Sequence, residues 1–298
     1  MVSLKQKNHP HVYVGVYINK YVREMKKYLN VRILAGFTMA IFMLVSITSC
    51  EKANPEEETP VLPPLESMQM DISDFEQEQG GSKGTLETSW NFLYSAVTVT
   101  LCNGWAVLVS ALPIAAYGYA LQQTPVYLGD YTWEWSYNFT WGLVEYTATL
   151  TGKREDNEKF SMEMVISPAA NPEQGVKYFD GLVRYDHTRA EWTMYKQGTI
   201  SVLEIGWNKD YETEEADLTY TFTEPGKDYT GSYIVAAYQP DVFFDAAYTI
   251  SVPEGMINIE WNTTTLEGRV KAPAHFQDDA WHCWDTQANG LADKVCEQ

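Results

Sequence analysis

The densest cluster of groups able to do chemistry lies near the C-terminus, where His275, Asp278, Asp279, His282, Cys283 and Asp285 fall within eleven residues. Two imidazoles and three carboxylates would suit a divalent cation. His275 and His282 are seven apart, however, with no second pair to complete a tetrahedral set, and Cys283 is better used as half of a disulfide with Cys296. The expectation is a clasp rather than a metal centre: Trp281 and Trp284 pack on the end of the fold and the bridge keeps the tail from fraying. No cofactor is implied.

Other catalytic groupings are sparse. Glu134 and Glu145 fall in neighbouring segments and could face each other like the paired carboxylates of a glycosidase, although carboxylates on a wet strand face are mostly solvated. Beyond residue 49 the histidines are His187, His275 and His282, and the chain has no nucleophile elbow, no HExxH and no glycine-rich phosphate loop. Aromatic residues are the more conspicuous resource. Trp133, Trp135, Tyr137, Phe139 and Trp141 recur at every second position, and an exposed row of this kind would stack on sugar rings or grip an apolar ligand. The same row facing inward would be core, which is the preferred reading.

Period-two alternation of that strength makes 131–141 a strand with one apolar and one wet face. Similar segments follow at 144–151, 159–166, 177–185, 191–196, 200–207, 218–223, 232–238, 246–252, 256–261 and 266–271, joined by short links such as Pro225-Gly226-Lys227-Asp228. Links this short join antiparallel neighbours. The expected fold is therefore mainly β, an up-and-down meander of about ten strands curling into a barrel or half-barrel. Met68, Met70 and Ile72 alternate with polar residues and predict an edge strand over 67–74.

One stretch departs from this pattern. From Thr88 to Gly129 there is no charged residue, and 90–121 is mostly apolar, interrupted at Asn103-Gly104 and Pro113. A transmembrane helix is one reading; one or two helices covering the concave face of the sheet is the better one, since a sheet with one apolar face needs a second layer. Val97 to Thr100 are β-branched and would also suit a strand.

The N-terminal quarter carries a different signal. Met25, Lys26, Lys27 and Arg32 form a basic start, Ile33 to Val45 is a 13-residue apolar run, and Ile47-Thr48-Ser49-Cys50 closes it. This combination resembles the lipobox of bacterial lipoproteins. The resemblance implies a signal peptide over 25–49 and a diacylglycerol-bearing, amine-acylated (palmitate-type) Cys50 as the membrane attachment. A complete signal that begins at residue 25 leaves 1–24 as a mis-called extension. The acidic, proline-rich segment 50–65 reads as a tether, and its early glutamates resemble the export tag by which Bacteroidota send lipoproteins to the cell surface. The expected location is the outer membrane, facing outward, with the periplasmic face as the alternative.

Removing residues 1–49 takes away seven Lys/Arg and one Glu, leaving 14 basic against 39 acidic residues and a net charge of −25. Such a field repels nucleic acid and anionic lipid. Outside the cytoplasm disulfides persist, so Cys283 and Cys296 are expected to pair, while Cys102 in its uncharged surroundings reads as a buried free thiol. The tail around Trp281-His282-Cys283-Trp284-Asp285, with Gly268 to Lys271 before it and the Pro63 to Met68 segment, is similar to uncharacterised Bacteroidota lipoproteins; that similarity carries no known activity.

The expectation is one β-rich domain over 66–298, in a lipid-anchored protein that holds an apolar or carbohydrate ligand. The alternatives are a structural or interaction subunit of an outer-membrane assembly, and a glycan-acting hydrolase. An open apolar cavity would favour the first, a filled interior the second and convergent carboxylates in a cleft the third.

Overall fold

The computed structural model describes residues 59–77, 89–287 and 290–297. The extension over 1–24, the signal over 25–49, Cys50 and the first part of the tether lie outside the described residues.

Fourteen strands form one antiparallel sheet in strict sequence order: β1 (Val126–Gly129), β2 (Thr132–Trp141), β3 (Val144–Arg154), β4 (Lys159–Pro168), β5 (Val176–Arg184), β6 (Arg189–Lys196), β7 (Ile200–Lys209), β8 (Ala216–Phe222), β9 (Tyr233–Tyr238), β10 (Ala246–Val252), β11 (Gly255–Trp261), β12 (Gly268–Lys271), β13 (His282–Gln287) and β14 (Gly290–Lys294). The mainly β meander is thus as the alternation predicts. It has more strands than expected, and β1 and β14 remain unpaired with each other, so the sheet is an open half-barrel. Among the described residues four short helices or turns accompany it: 3-10 turns over Leu65–Ser67 and Pro172–Gln174, α1 (Ser73–Gln77) and, after the long α2 (Trp90–Ala120), the single turn α3 (Pro273–Phe276).

The apolar run forms one helix rather than two. Pro113 sits inside α2 without ending it, because a proline removes only one backbone donor and the helix is held by packing along its length. The sheet wraps around α2, meeting it through β2, β3, β6 and β7 on one side and β12, β13 and β14 on the other. Phe92, Ala96, Val99, Ala106, Ile114, Ala116 and Tyr117 are among the residues it buries.

Asp293 of β14 fixes the start of α2. Its carboxylate accepts from Ser89 Oγ at 2.6 Å and from the Asn91 amide at 3.1 Å, while Ser89 Oγ, as the N-cap, accepts from the Phe92 amide at 3.0 Å. Charge at a helix start satisfies orphan donors and opposes the positive end of the dipole. Asp293→Ala is expected to cost about 2 kcal/mol, read as a lower urea midpoint with unchanged slope; an unaltered midpoint would show that the cap holds nothing.

Residues 67–74 do not form the expected edge strand. Together with the preceding prolines they run as a strap between sheet and helix, curled at the 3-10 turn and at α1 and starting before Glu66, since Pro60 and Pro63 are already buried. Its backbone polar groups find aromatic side chains in place of a neighbouring strand. Tyr117 OH donates to Pro63 O at 2.8 Å, Trp192 Nε1 to Ser67 O at 3.1 Å and Tyr220 OH to Met68 O at 3.0 Å. Tyr248 OH reaches Asp71 O at 2.8 Å, and Trp261 Nε1 reaches the Asp74 carboxylate at 2.9 Å. Each ring contributes apolar area to the core and one polar handle to the strap, which is why a core so rich in Tyr and Trp leaves few strap groups unpaired.

Three glycines let indoles lie flat against neighbouring strands. A Cβ on Gly181 would come within 2.2 Å of the Trp192 ring, one on Gly268 within 2.2 Å of Trp284, and one on Gly152 within 3.1 Å of Trp135. The expected tail clasp is part of the sheet instead: β13 pairs with β12 and β14, and Trp284 is fully buried. Trp281 lies at the margin beneath the Arg269 guanidinium, 4.4 Å from it. The Cys283–Cys296 disulfide forms as expected, with Cα atoms 5.3 Å apart. Cys102 is free and half-buried, and burial raises its thiol pKa.

Candidate functional site

The aromatic row on β2 mostly faces inward. Trp133, Trp135 and Phe139 are buried. Tyr137 lies on the same face and donates to Ala116 O of α2 at 2.5 Å. Only Trp141, at the β2–β3 turn, keeps a large exposed surface. A ring pinned between sheet and helix is core, so Trp133, Trp135 and Tyr137 offer no stacking platform to a ligand. The space enclosed by the sheet is filled by α2 and the strap.

Glu134 and Glu145 do not form a pair. In the β2–β3 register Glu134 stands opposite Thr151, and Glu145 opposite Thr140. Six residues of strand separate them, about 20 Å. Two other carboxylates do stand side by side, Glu163 and Asp180, directly opposite on β4 and β5 and on the face away from α2. They line a shallow outer trough of about 850 Å³ with Thr193 and Glu204, where Gly206 leaves the strand surface bare. Lys177 Nζ lies between the two acids, 2.6 Å from Asp180 and 4.0 Å from Glu163, and Tyr195 OH also donates to Asp180. Hydrogen bonding to Asp180 raises the pKa of Lys177. This is a cross-strand ladder whose like charges are offset by a cation, on a face open to water.

The C-terminal residues are also drawn into separate partnerships. His282 Nε2 is 3.0 Å from Asp278 Oδ1, Lys271 pairs with Asp279 at 2.9 Å, and His275 stacks on Tyr94 with ring centroids 4.0 Å apart. The bond from His282 holds the Asp278 carboxyl below its usual pKa. No group of three or more His, Cys, Asp or Glu positioned to hold a metal ion occurs among the described residues.

What the chain does present is the outward face of α2. At 100° per residue, Trp90, Val97, Leu101, Leu108 and Tyr119 fall in a narrow stripe, with Trp105 beside it. Leu108 is 80% exposed, Trp90 72% and Leu101 64%. Val126 and Leu128 on the edge strand β1 are also exposed. By length and composition α2 could cross a membrane, yet one whole side of it is packed on the sheet and its start is tied to β14. It is therefore half of a core whose other half is uncovered.

The sequence shows that 88–129 is uncharged, but a helix apolar on all sides gives no sign of which half is buried. That missing information is positional. Among known proteins the chain matches no family model, no curated protein and no solved structure.

Proposed function

We propose that this chain is a lipid-anchored docking protein of the cell envelope, which uses its sheet as a rigid frame to display the apolar face of α2 to a protein partner. The observation that carries this reading is the exposed stripe on a helix whose opposite side fills the half-barrel. Side chains from Trp90 to Tyr119 along the stripe present on the order of 800 Å² of apolar surface. Isolated monomers rarely leave that much contiguous apolar area in water. A filled interior also favours an interaction subunit over a carrier of apolar ligands, because a carrier needs an enclosed void.

Thiol reactivity in intact host cells tests the docking reading. In a Cys102→Ser background, Leu108→Cys is expected to react with a membrane-permeant maleimide at least about tenfold more slowly than Leu143→Cys, whose side chain is fully exposed at the β2–β3 turn. Equal rates would mean that nothing covers α2. The anchor is tested separately. Cys50→Ala is expected to release the protein from membranes or leave its signal uncleaved, and a processed, membrane-bound variant would overturn the lipoprotein assignment.

A glycan reading retains one supporting observation, the outer trough with its threonines, carboxylates and bare Gly206. Native mass spectrometry of the full chain from its host checks it: a saccharide mass lost on denaturation would support it. A chain carrying no added mass would count against it.

A further inference from the structure

We infer that the occupant of the α2 face is a second copy of this chain, packed antiparallel across a two-fold axis near residues 104 and 105. This rests on the docking reading above and names its partner. A two-fold contact needs a surface complementary to itself, and the stripe has that property. Reversing α2 against itself about this point sets Trp90 opposite Tyr119, Tyr94 opposite Ala115, Val97 opposite Leu112 and Leu101 opposite Leu108. Gly104 then meets Gly104 of the other copy. A Cβ on Gly104 would have nothing within 4 Å in the single chain, so the bare backbone there lets the two helices approach closely, while Trp105, on the other flank of the stripe, packs on Tyr229 of its own chain at a centroid distance of 4.9 Å.

The amount and chemistry of the surface agree with this partner. About 800 Å² per copy is what one side of a standard stable interface buries. No charge between Thr88 and Gly129 would be desolvated by the contact, and charge depletion marks the centre of such interfaces. A lipid surface fits less well. Helices that lie in a membrane interface carry Lys and Arg on their polar side to meet anionic headgroups, whereas α2 has neither and the chain beyond residue 49 is strongly acidic.

Acidity also sets the salt response. Two strongly negative copies repel outside the contact, and salt screens that repulsion over about 10 Å at 0.1 M. Association should therefore strengthen as salt rises, opposite to an interface built on ion pairs.

Cysteine cross-linking in the full chain, produced in its host with Cys102→Ser, tests the arrangement. Gly104→Cys is expected to give a disulfide-linked pair, since the two copies of that position lie about one helical rise apart along the axis. Val97→Cys is expected to give none, its two copies being displaced by about 22 Å. Cross-linking at both positions would mean a parallel pairing and overturn the proposed register. Cross-linking at neither, with a single-chain mass by sedimentation at high salt, would overturn the second copy as occupant. In that event a Leu108→Cys thiol still protected in cells leaves the docking reading standing with a different partner, and an unprotected one removes both. Leu101→Glu with Leu108→Glu should abolish the pair while keeping the unfolding midpoint, because both side chains are more than half exposed in the single chain.

Discussion

Trp192→Ala is expected to lower the free energy of unfolding by about 4 to 8 kcal/mol, enough to leave a typical domain close to unfolded. Two losses combine. Removing a fully buried indole leaves a cavity between Gly181, Tyr117 and Phe179, the last two of which meet the ring edge-on at centroid distances of 5.6 and 5.5 Å, and such truncations cost about 3 to 5 kcal/mol. Ser67 O then loses its only ring donor, and a buried carbonyl left unpaired costs about 1 to 3 kcal/mol more. Trp192→Phe separates these terms: it restores most of the volume but not the donor, so it should recover more than half of the loss. Urea unfolding of the three proteins checks this. A Trp192→Phe variant as stable as the parent would show that the strap is held by packing alone. Gly181→Ala should also destabilise, for the opposite reason, since the added methyl would sit 2.2 Å from the Trp192 ring and 2.6 Å from the Glu191 carbonyl.

The strap shows where sequence reasoning reaches its limit. Met68, Met70 and Ile72 alternate with polar residues as a strand would, because period two belongs to any extended chain with one buried side. Pairing is what makes such a chain a strand, and here the partners are rings from β6, β8, β10 and β11, which no local pattern could locate. The β2 row was legible because both its alternation and its turn chemistry were local. Its inward direction was also the more economical reading, since the helical layer had to cover something. Three strands were missed, β1, β13 and β14. β1 is only four residues long, and the density of Cys, His and Trp in β13 drew attention to ligands rather than to backbone. The interruptions at Asn103-Gly104 and Pro113 left one helix or two open. They do not break α2, and Gly104 marks the point where the exposed face is bare. Which face of α2 is uncovered, and thus the candidate site itself, followed only from the placement of β2, β3 and β12 to β14 around it.

The strap makes a second consequence visible at high pH. Tyr220 is buried, donates to Met68 O and accepts from the Met70 amide at 3.2 Å; burial pushes its phenol pKa from 10.0 up to about 12. Burial also raises Tyr117 and Tyr137, and raises Tyr248, where Asp71 adds to the effect. Below pH 10 both folded and unfolded chains keep these protons, and the stabilisation is fully present. Above it the unfolded chain releases them while the folded chain retains them, so unfolding becomes coupled to proton loss and stability falls as pH rises. Each such tyrosine removes about 1.4 kcal/mol per pH unit across its window, and Tyr220 alone accounts for about 3 kcal/mol by pH 12. With four of them titrating together, the protein is expected to unfold cooperatively between about pH 10 and 12. The share of tyrosinate absorbance that comes from these four rings should rise together with loss of the sheet signal in circular dichroism. Tyr220→Phe is the control, because it is less stable at neutral pH through the two strap groups it leaves unpaired, yet its stability should decline with pH by about one proton less. Tyrosinate absorbance that completes near pH 10 while the sheet persists would show that the rings are reached by water, and that the strap does not depend on them.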